Sequence, residues 1–426
     1  MQVINYPPES AWPELMQRPA GNDTALLEQV SGILAQIKLK GDAAVREYSL
    51  QFDGYAADSL ELDAEEINSS CREVDPKLKE AIQQAKRNIE AFHQAQVQAP
   101  VSIEVQAGVK CWQKAQPIDK VGLYIPGGTA PLFSTVLMLA VPAQLAGCGE
   151  IVLCSPPGKE GKIHPAILYT AHLCGIRRIF KIGGVQAIGA MAYGTETVPQ
   201  VYKIFGPGNR YVTAAKQLVS LGDTAIDMPA GPSEVLVMAD QTAIPAFVAA
   251  DLLSQAEHGS DSQVILLTSS AALAEAVQKE IQTQCAALPR ATIAWKALEN
   301  SKIILLKDRE EMLRFSNAYA PEHLIISTKD YRRLADRVTN AGSVFLGNYS
   351  PESAGDYASG TNHTLPTKAY ARAYSGLNLD SFKKKISFQE ISREGLRALG
   401  PTIEIMAENE ELLAHKRAVS IRLKQD

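Results

Sequence analysis

VGLYIPGG, at residues 121–128, is the first of several short apolar runs in this sequence. Each run ends in or near glycine or proline and is followed by a helical pattern; the later ones are IVLCSPPG (151–158), RIFKIGG (178–184), KIFGPGN (203–209) and VLVMAD (235–240). Strands that alternate with helices form βαβ units, whose strands pair in parallel. We therefore predict an α/β domain, of the kind that often binds nucleotides, over residues 121–240.

A second set of apolar runs follows: QVILLTSS (263–270), KIILL (302–306), HLIIS (323–327) and SVFLGN (343–348). These runs predict a second sheet of similar construction, although no internal repeat is visible in the sequence. The expected fold class is α/β, with two Rossmann-like parallel-sheet domains.

The two ends of the chain differ from this central pattern. Helical spacing over residues 23–50 and 76–97 predicts a mostly helical N-terminal segment. The last ~45 residues also show helical patterns but are too few to hold a core of their own. This tail must pack on something larger, either its own chain or a partner subunit.

Composition and charge exclude several classes of protein. A chain of 426 residues, 46% hydrophobic and 21% charged, is an ordinary globular protein of two or three domains. The net charge is -5 and the basic residues are scattered, so neither nucleic acid nor a membrane is an expected partner. Six cysteines without a CxxC pair indicate free thiols in a reducing compartment. Without a signal-like N-terminus or a bilayer-length apolar run, we expect a cytoplasmic protein.

Several histidines in the C-terminal half stand beside groups that bind metals or transfer protons. Gln255 and His258 are three residues apart near the end of a predicted helix that Gly259 terminates, so both can reach one ion. Glu322 and His323 precede a strongly apolar strand and offer a water-activating carboxylate and a general base. Each pair also fits a plainer interpretation, as a polar helix end and as a solvent-exposed start of a strand.

A glycine-rich segment and the final helix supply further candidates. Asp356 and His363 lie in GDYASGTNH (355–363), where a backbone can approach a ligand closely, although ordinary long loops share this composition. His415 lies in a charged helix, where a surface position is the simplest interpretation. Pooled with Gln255 and His258, these residues form a possible zinc site of nitrogen and oxygen donors, which suits an open catalytic site.

The cofactor signal from the residues alone is weaker. No GxGxxG motif is followed by an acidic residue at the usual distance. Three strand-to-helix turns nevertheless offer free amides to phosphates: GLYIPGGTAPLFSTV (122–136), KIGGVQAIGAMA (181–192) and FGPGNRYVTAAK (205–216).

Longer motifs give a more specific signal. They are VGLYIPGGTAPLFSTVLMLAVPA (121–143), KIFGPGN (203–209), AIDMPAGPSEVLV (225–237), DLLSQAEHG (251–259), APEHLII (320–326), AGSVFLGNYSPESAGDYASGTNHTLPT (341–367) and AHKRAV (414–419). In this order they resemble the histidinol dehydrogenases, and the resemblance extends essentially from end to end.

The resemblance implies a metal and a substrate. One Zn²⁺ per subunit would be held by Gln255, His258, Asp356 and His415, with His415 contributed by the other subunit of an intertwined homodimer. L-histidinol would complete the zinc shell through its imidazole and amino nitrogens. The substrate-contacting positions of the family correspond here to Ser233, Gln255, His258, Glu322, His323, Asp356, His363, Glu410 and His415.

The resemblance also implies a reaction. L-histidinol would be oxidised through L-histidinal to L-histidine, the last step of histidine biosynthesis, with two NAD consumed. His323 would be the general base in both oxidations, and Glu322 would activate water between them. NAD would contact Tyr124, Gln186 and Asn209.

We divide the chain accordingly. Residues 1–22 form an N-terminal tail, and residues 23–120 with 232–377 form a first α/β domain that carries most zinc and catalytic residues. Residues 121–231 form a second α/β domain on the NAD side, and residues 378–426 form a helical segment that packs on the partner subunit.

Two other functions fit the residues without the resemblance. One is a zinc hydrolase in which Glu322 activates metal-bound water. The other is a non-catalytic scaffold for a metal or metabolite, in which the Glu322–His323 pair would be unnecessary. An absorbance change that depends on NAD separates the dehydrogenase from both.

Overall fold

The structure is a computed structural model that describes residues 1–19, 23–55, 59–127, 130–158, 160–222 and 224–424. Parts of the predicted tail (20–22), of the first glycine-rich turn (128–129) and of the C-terminal segment (425–426) lie outside the described residues. The strands are β1 (Gln2–Asn5), β2 (Ser102–Gln106), β3 (Val109–Pro117), β4 (Lys120–Tyr124), β5 (Glu150–Ser155), β6 (Arg178–Lys181), β7 (Lys203–Phe205), β8 (Ala225–Ile226), β9 (Glu234–Ala239), β10 (Gln263–Thr268), β11 (Lys302–Leu305), β12 (His323–Ser327), β13 (Ser343–Leu346) and β14 (Lys383–Ile391).

The α-helices are α1 (Trp12–Leu15), α2 (Asp23–Lys40), α3 (Asp42–Asp53), α4 (Ala64–Glu73), α5 (Pro76–Gln94), α6 (Phe133–Ala146), α7 (Pro165–Leu173), α8 (Gly184–Tyr193), α9 (Arg210–Val219), α10 (Pro245–Ala256), α11 (Ala271–Ala286), α12 (Ala291–Glu299), α13 (Arg309–Tyr319), α14 (Tyr331–Ala335), α15 (Glu352–Tyr357), α16 (Arg393–Asn409) and α17 (Leu413–Leu423). Short 3-10 helices cover Glu9–Ala11, Tyr370–Arg372 and Leu379–Phe382.

Two parallel sheets dominate the fold, which confirms the predicted class. The smaller sheet has the order β6-β5-β4-β7-β8, and the larger sheet has the order β1-β11-β10-β9-β12-β13. Apart from its edge strand β1, the larger sheet repeats the winding of the smaller one, with the first strand central and the second and third on one side of it. The repeat that is invisible in the sequence is therefore present in the topology.

The strands read as continuous apolar runs because helices cover both faces of each sheet. Every residue of β9 and β10 is buried. Helices α10, α11 and α12 pack on one face of the larger sheet, and α13, α14 and Trp12 pack on the other. On the smaller sheet, one face is covered by α4–α7 and the other by α2, α3, α8 and α9.

The N-terminal helices lie apart from the segment with which the predicted domain division groups them. That division places α2–α5 with residues 232–377, whereas these helices pack on the smaller sheet. The segment 1–19 is more than a tail, because β1 pairs with β11 and Trp12 is buried beneath the larger sheet. Helical periodicity shows that a helix has an apolar face, but it does not show which sheet that face covers.

The C-terminal segment is only partly helical. Strand β14 pairs antiparallel with β3, which also pairs with β2, in a small third sheet. Trp112 stacks on Phe388 across this sheet, with ring centroids 5.4 Å apart. The prediction missed β14 because its sequence, KKKISFQEI, has few apolar residues. Part of the tail thus docks on its own chain, and α16 and α17 follow it.

The cysteines agree with the prediction of free thiols. All six are unpaired, and Cys154, Cys174 and Cys285 are buried. None of the helices among the described residues combines the length and apolar character that crossing a bilayer requires.

Candidate active site between the two sheets

A cavity of about 580 Å³ lies where the two sheets approach each other. The smaller sheet contributes the turns after β4 and β7, including Pro126 and Asn209. In a doubly wound sheet this is the point where strand order reverses and ligands usually bind. The larger sheet contributes the amino-terminal ends of its strands, because Ser233, Glu322 and His323 lie at the starts of β9 and β12.

Most of the predicted site residues meet in this cavity. Those that line it are Ser233, Gln255, His258, Glu322, His323, Asp356, His363 and Asn209. They come from separate parts of the chain, and the two sheets bring them together. The predicted cavity residues therefore share one location, whatever their individual roles.

The Glu322–His323 pair is buried and held by one backbone segment. A Glu322 oxygen (Oε2) accepts a hydrogen bond from the Glu234 amide at 2.8 Å. His323 Nδ1 lies 3.2 Å from the Glu234 carbonyl oxygen, so Nδ1 carries the proton and donates it. His323 Nε2 is left without a hydrogen-bond partner, 3.5 Å from Asp356 Oδ1. In the neutral imidazole this nitrogen carries the lone pair, so it is suited to remove a proton from a ligand in the cavity.

The electrostatic environment of His323 is strongly negative. Burial alone would lower the pKa of His323, but the carboxylates of Glu322, Glu352 and Asp356 raise it well above its usual value. Burial raises the pKa of Glu352 to about 8, although the positive charge of protonated His323 lowers it. Burial opposes ionisation of Asp356 too, yet its contact with His323 keeps the pKa of Asp356 below the ordinary value. The cluster therefore attracts positive charge.

The donors predicted for a metal have the chemistry that a metal needs. Gln255 lies in the last turn of α10 and donates from Nε2 to Glu352 Oε1. Its Oε1 is buried without a partner, which leaves a free oxygen donor. His258, just beyond the helix, and Asp356, on α15, line the same cavity. Gln255, His258 and Asp356 therefore offer the cavity the oxygen and nitrogen donors that zinc accepts.

A second grouping of donors overlaps the first. Donor atoms of His323, Glu352 and Asp356 lie within 4.8 Å of one another. Sequence reasoning missed Glu352, although it precedes Asp356 by four residues and so shares its face of α15. Because Glu352 already accepts the Gln255 amide, we regard it as a support for Gln255 rather than as a ligand.

His363 connects the cavity wall to the smaller sheet. Its Nδ1 lies 2.8 Å from the Asp356 carbonyl oxygen, and its Nε2 lies 3.2 Å from Thr135 Oγ1. Burial lowers the pKa of His363, which favours the neutral ring. His363 thus links the backbone of Asp356 to Thr135 on α6.

The three predicted NAD contacts do not share one position. Asn209 lines the cavity, and its side chain caps the first turn of α9. Tyr124 and Gln186 are buried and do not line it. The Tyr124 hydroxyl accepts from the Gly184 amide at 3.1 Å, and Gln186 Nε2 donates to Asp53 Oδ2 at 2.9 Å. The first contact holds the start of α8, and the second joins α8 to the end of α3.

The turn after β7 requires its first glycine. Gly206 has a φ of 129°, and a Cβ there would lie 2.1 Å from the Tyr124 carbonyl oxygen. The Gly206 amide donates to Asp227 Oδ2 at 2.8 Å, and Lys216 Nζ donates to the Gly206 carbonyl at 2.7 Å. Hydrogen bonds to both its amide and its carbonyl therefore fix the backbone of Gly206 beside the cavity.

Glu410 and His415 lie outside the cavity. Both side chains are exposed, at the end of α16 and in α17 of the same chain. Within one chain the structure does not bring His415 to Gln255, His258 and Asp356. Its contribution to a partner's site stays a prediction.

The fold and site together define a class of protein: an α/β protein with a cavity, lined by acidic and imidazole side chains, between two doubly wound sheets. The sequence profile of the histidinol dehydrogenases matches residues 16–423. Histidinol dehydrogenase of Bacteroides thetaiotaomicron is 62% identical over 423 residues, covering 99% of each chain. That of Escherichia coli is 54% identical over 413 residues, covering 96% of this chain and 94% of the relative. The crystal structure of histidinol dehydrogenase from Elizabethkingia anophelis matches with a TM-score of 0.97 and 55% identity, covering 100% of this chain and 98% of that one.

This chain belongs to the histidinol dehydrogenase family. It is an NAD-dependent oxidoreductase by that membership.

Proposed function

We propose that this protein oxidises L-histidinol through L-histidinal to L-histidine, the last step of histidine biosynthesis, with two NAD consumed. Family membership supports the reaction. The single observation that carries the mechanism is the buried Glu322–His323 pair, whose free imidazole nitrogen lines the cavity beside the three candidate metal ligands.

The first oxidation requires a base for the hydroxyl proton. His323 Nε2 is the group available, because Nδ1 is committed to the Glu234 carbonyl. Once protonated, the imidazole lies 3.5 Å from the Asp356 carboxylate and 3.7 Å from that of Glu322. These carboxylates stabilise the imidazolium that forms as the proton is transferred.

The second oxidation requires water to add to the aldehyde. Glu322 is the group we assign to activate it, since the Glu234 amide bonds to only one of its oxygens. Glu322 takes a proton from the water as its oxygen bonds to the carbonyl carbon, and the imidazolium of His323 returns its proton to the carbonyl oxygen. This addition gives a gem-diol and leaves His323 free to act as base again. Both steps use one cavity, which keeps a reactive aldehyde away from bulk water.

Two groups complete the chemistry when bound. Zinc, held by Gln255, His258, Asp356 and a fourth ligand, His415 of a second copy, would orient the substrate's nitrogens. NAD would accept the hydrides, bound near the turns after β4 and β7. Of its predicted contacts, Asn209 already faces the cavity, whereas contact with Tyr124 and Gln186 requires those buried side chains to move.

We also propose the homodimer. Two predicted contributors to the site, Glu410 and His415, are exposed. The same tail exposes apolar side chains, among them Ile405, Met406 and Leu413, each more than half accessible to solvent. An apolar tail that carries two unused site residues is what a shared site requires. Free thiols throughout the chain support the expected cytoplasmic location.

A direct assay tests the reaction. Purified zinc-loaded protein is mixed with L-histidinol and excess NAD, and NADH and histidine are both quantified. We expect two NADH per histidine, loss of activity on chelation, and recovery when zinc is restored. Absence of NADH from zinc-loaded protein would contradict the proposal and favour the hydrolase or the binding scaffold.

A further inference from the structure

We propose that Arg18 and Glu234 are positioning residues for the Glu322–His323 pair. Their ion pair fixes the backbone segment from which both of these side chains are held. This inference rests on the proposed function, since it concerns the efficiency of the same reaction. Neither Arg18 nor Glu234 lines the cavity between the two sheets, so any effect of these residues on catalysis must pass through other groups.

The backbone of Glu234 contacts both members of the pair. Its amide donates to Glu322 Oε2 at 2.8 Å, and its carbonyl oxygen lies 3.2 Å from His323 Nδ1. The first contact orients the carboxylate of Glu322, and the second selects the tautomer of His323 in which Nε2 carries no proton. A small movement of this one residue would therefore misplace both groups together.

The side chain of Glu234 anchors that backbone. Its carboxylate forms a two-pronged ion pair with Arg18, at 2.6 Å from Nε and 2.9 Å from Nη2. It also accepts from the Lys368 amide at 2.8 Å. Only 2% of Glu234 is exposed, and a carboxylate so deeply buried needs a cation and further donors to remain charged.

The cation comes from the N-terminal segment, far from Glu234 in sequence. Arg18 stacks over the Tyr319 ring, 4.0 Å from its centroid, and donates to the Tyr319 carbonyl at 3.0 Å. Residues 1–19 reach this place because β1 extends the larger sheet and Trp12 is buried in its core. The fork of a guanidinium suits this geometry better than an ammonium group would.

The same carboxylate holds part of the cavity wall. Lys368 and Ala369 adopt left-handed backbone conformations, with φ of 51° and 61°, which are unfavourable for residues with a Cβ. The bond from the Lys368 amide to Glu234 stabilises this turn, and Lys368 and Tyr370 line the cavity. Glu234 thus joins the N-terminal segment, the cavity wall and the catalytic pair.

The test compares Arg18→Met with the double variant Arg18→Met/Glu234→Gln. The single variant leaves a buried carboxylate without its cation, whereas the double variant removes both charges and should recover stability. If the pair positions the site, both variants lose kcat by the order of 10- to 100-fold while KM for histidinol changes little. Arg18→Lys, which keeps the charge but not the fork, should show a smaller loss.

Arg314→Met is the matched control. Arg314 also pairs with a carboxylate of the N-terminal segment, Glu9, at 2.6 Å, but it does not touch Glu234. It should keep the wild-type kcat. All variants are compared at equal zinc content and at a temperature where thermal denaturation shows them folded.

The outcomes separate this inference from the proposed function. Inactive wild-type protein overturns the proposed function itself. Active wild-type protein with an unchanged kcat in Arg18→Met overturns the positioning role. So does a double variant that regains wild-type kcat together with stability, because the pair would then serve stability alone. If Arg18→Met does not fold, the double variant decides between these results.

Discussion

Replacing His323 by asparagine isolates the nitrogen to which we assign proton transfer. The asparagine amide nitrogen stands as many bonds from Cα as Nδ1 of histidine, so it can still donate to the Glu234 carbonyl, now 3.2 Å from Nδ1. What disappears is Nε2, the atom without a hydrogen-bond partner. The backbone arrangement is thus retained while the base is removed.

The size of the effect follows from this geometry. Loss of a positioned general base costs about 10²- to 10⁴-fold in rate, which corresponds to about 3 to 5 kcal/mol of transition-state stabilisation. We expect kcat to fall by that factor and zinc content to stay the same, because His323 is not among the proposed ligands. Steady-state NADH formation and metal analysis measure the two quantities.

The control is His93→Asn. His93 is also fully buried and also bonded to a carbonyl, that of Ile89 at 2.8 Å from Nδ1, but it does not line the cavity. Its replacement should lower stability and leave kcat near the wild-type value. A His323→Asn enzyme that keeps more than about a tenth of wild-type kcat would refute the assignment of His323 as the base.

Further predictions concern the metal, stability and the dimer. Glu352→Ala removes the acceptor of the Gln255 amide and should weaken zinc binding about 10- to 100-fold in competition with a chromophoric chelator, whereas unchanged affinity would exclude a supporting role. Burial raises the pKa of Asp251 from 3.8 to about 7, so the stability from its bound proton is fully present below pH 3.8 and is lost as pH rises through about 7. Asp251→Asn should therefore raise the free energy of unfolding above pH 7 by the order of 2 kcal/mol; urea denaturation with no gain there would contradict this. Mixing inactive His323→Asn and His415→Asn subunits should restore activity, because each mixed dimer then has one intact site, and no recovery after confirmed exchange would argue against a shared site.

The fold was predictable to the extent that local pattern determines it. Buried strands such as β9 and β10 are continuous apolar runs, so both parallel sheets were visible in the sequence. The packing of α2–α5 on the smaller sheet was not visible, because an apolar helix face does not indicate which sheet it will cover. Strand β14 was missed because it pairs at the surface with mostly polar residues.

The site was predictable where one residue type implies its chemistry. The Glu322–His323 pair and the Gln255, His258 and Asp356 donors converge on one cavity, and the family resemblance pointed to them. The residues that support them were not visible. Arg18 is 216 positions from Glu234, and nothing in their local sequences links them. Contacts of this kind are made by the assembled fold and have no local signature.

The central claim is that one cavity performs both oxidations, with Glu322 needed only for the second. Glu322→Gln keeps an oxygen that can accept the Glu234 amide but cannot take a proton from water. Glu311→Gln is the control, since Glu311 is also buried and accepts a backbone amide but lies away from the cavity.

The measurement is the number of NADH formed per enzyme site in a single turnover with semicarbazide present to trap aldehyde. We predict two NADH and histidine for the wild type and the control, and one NADH with trapped aldehyde for Glu322→Gln. Two NADH at the wild-type rate from Glu322→Gln, or no NADH from the wild type, would contradict the account.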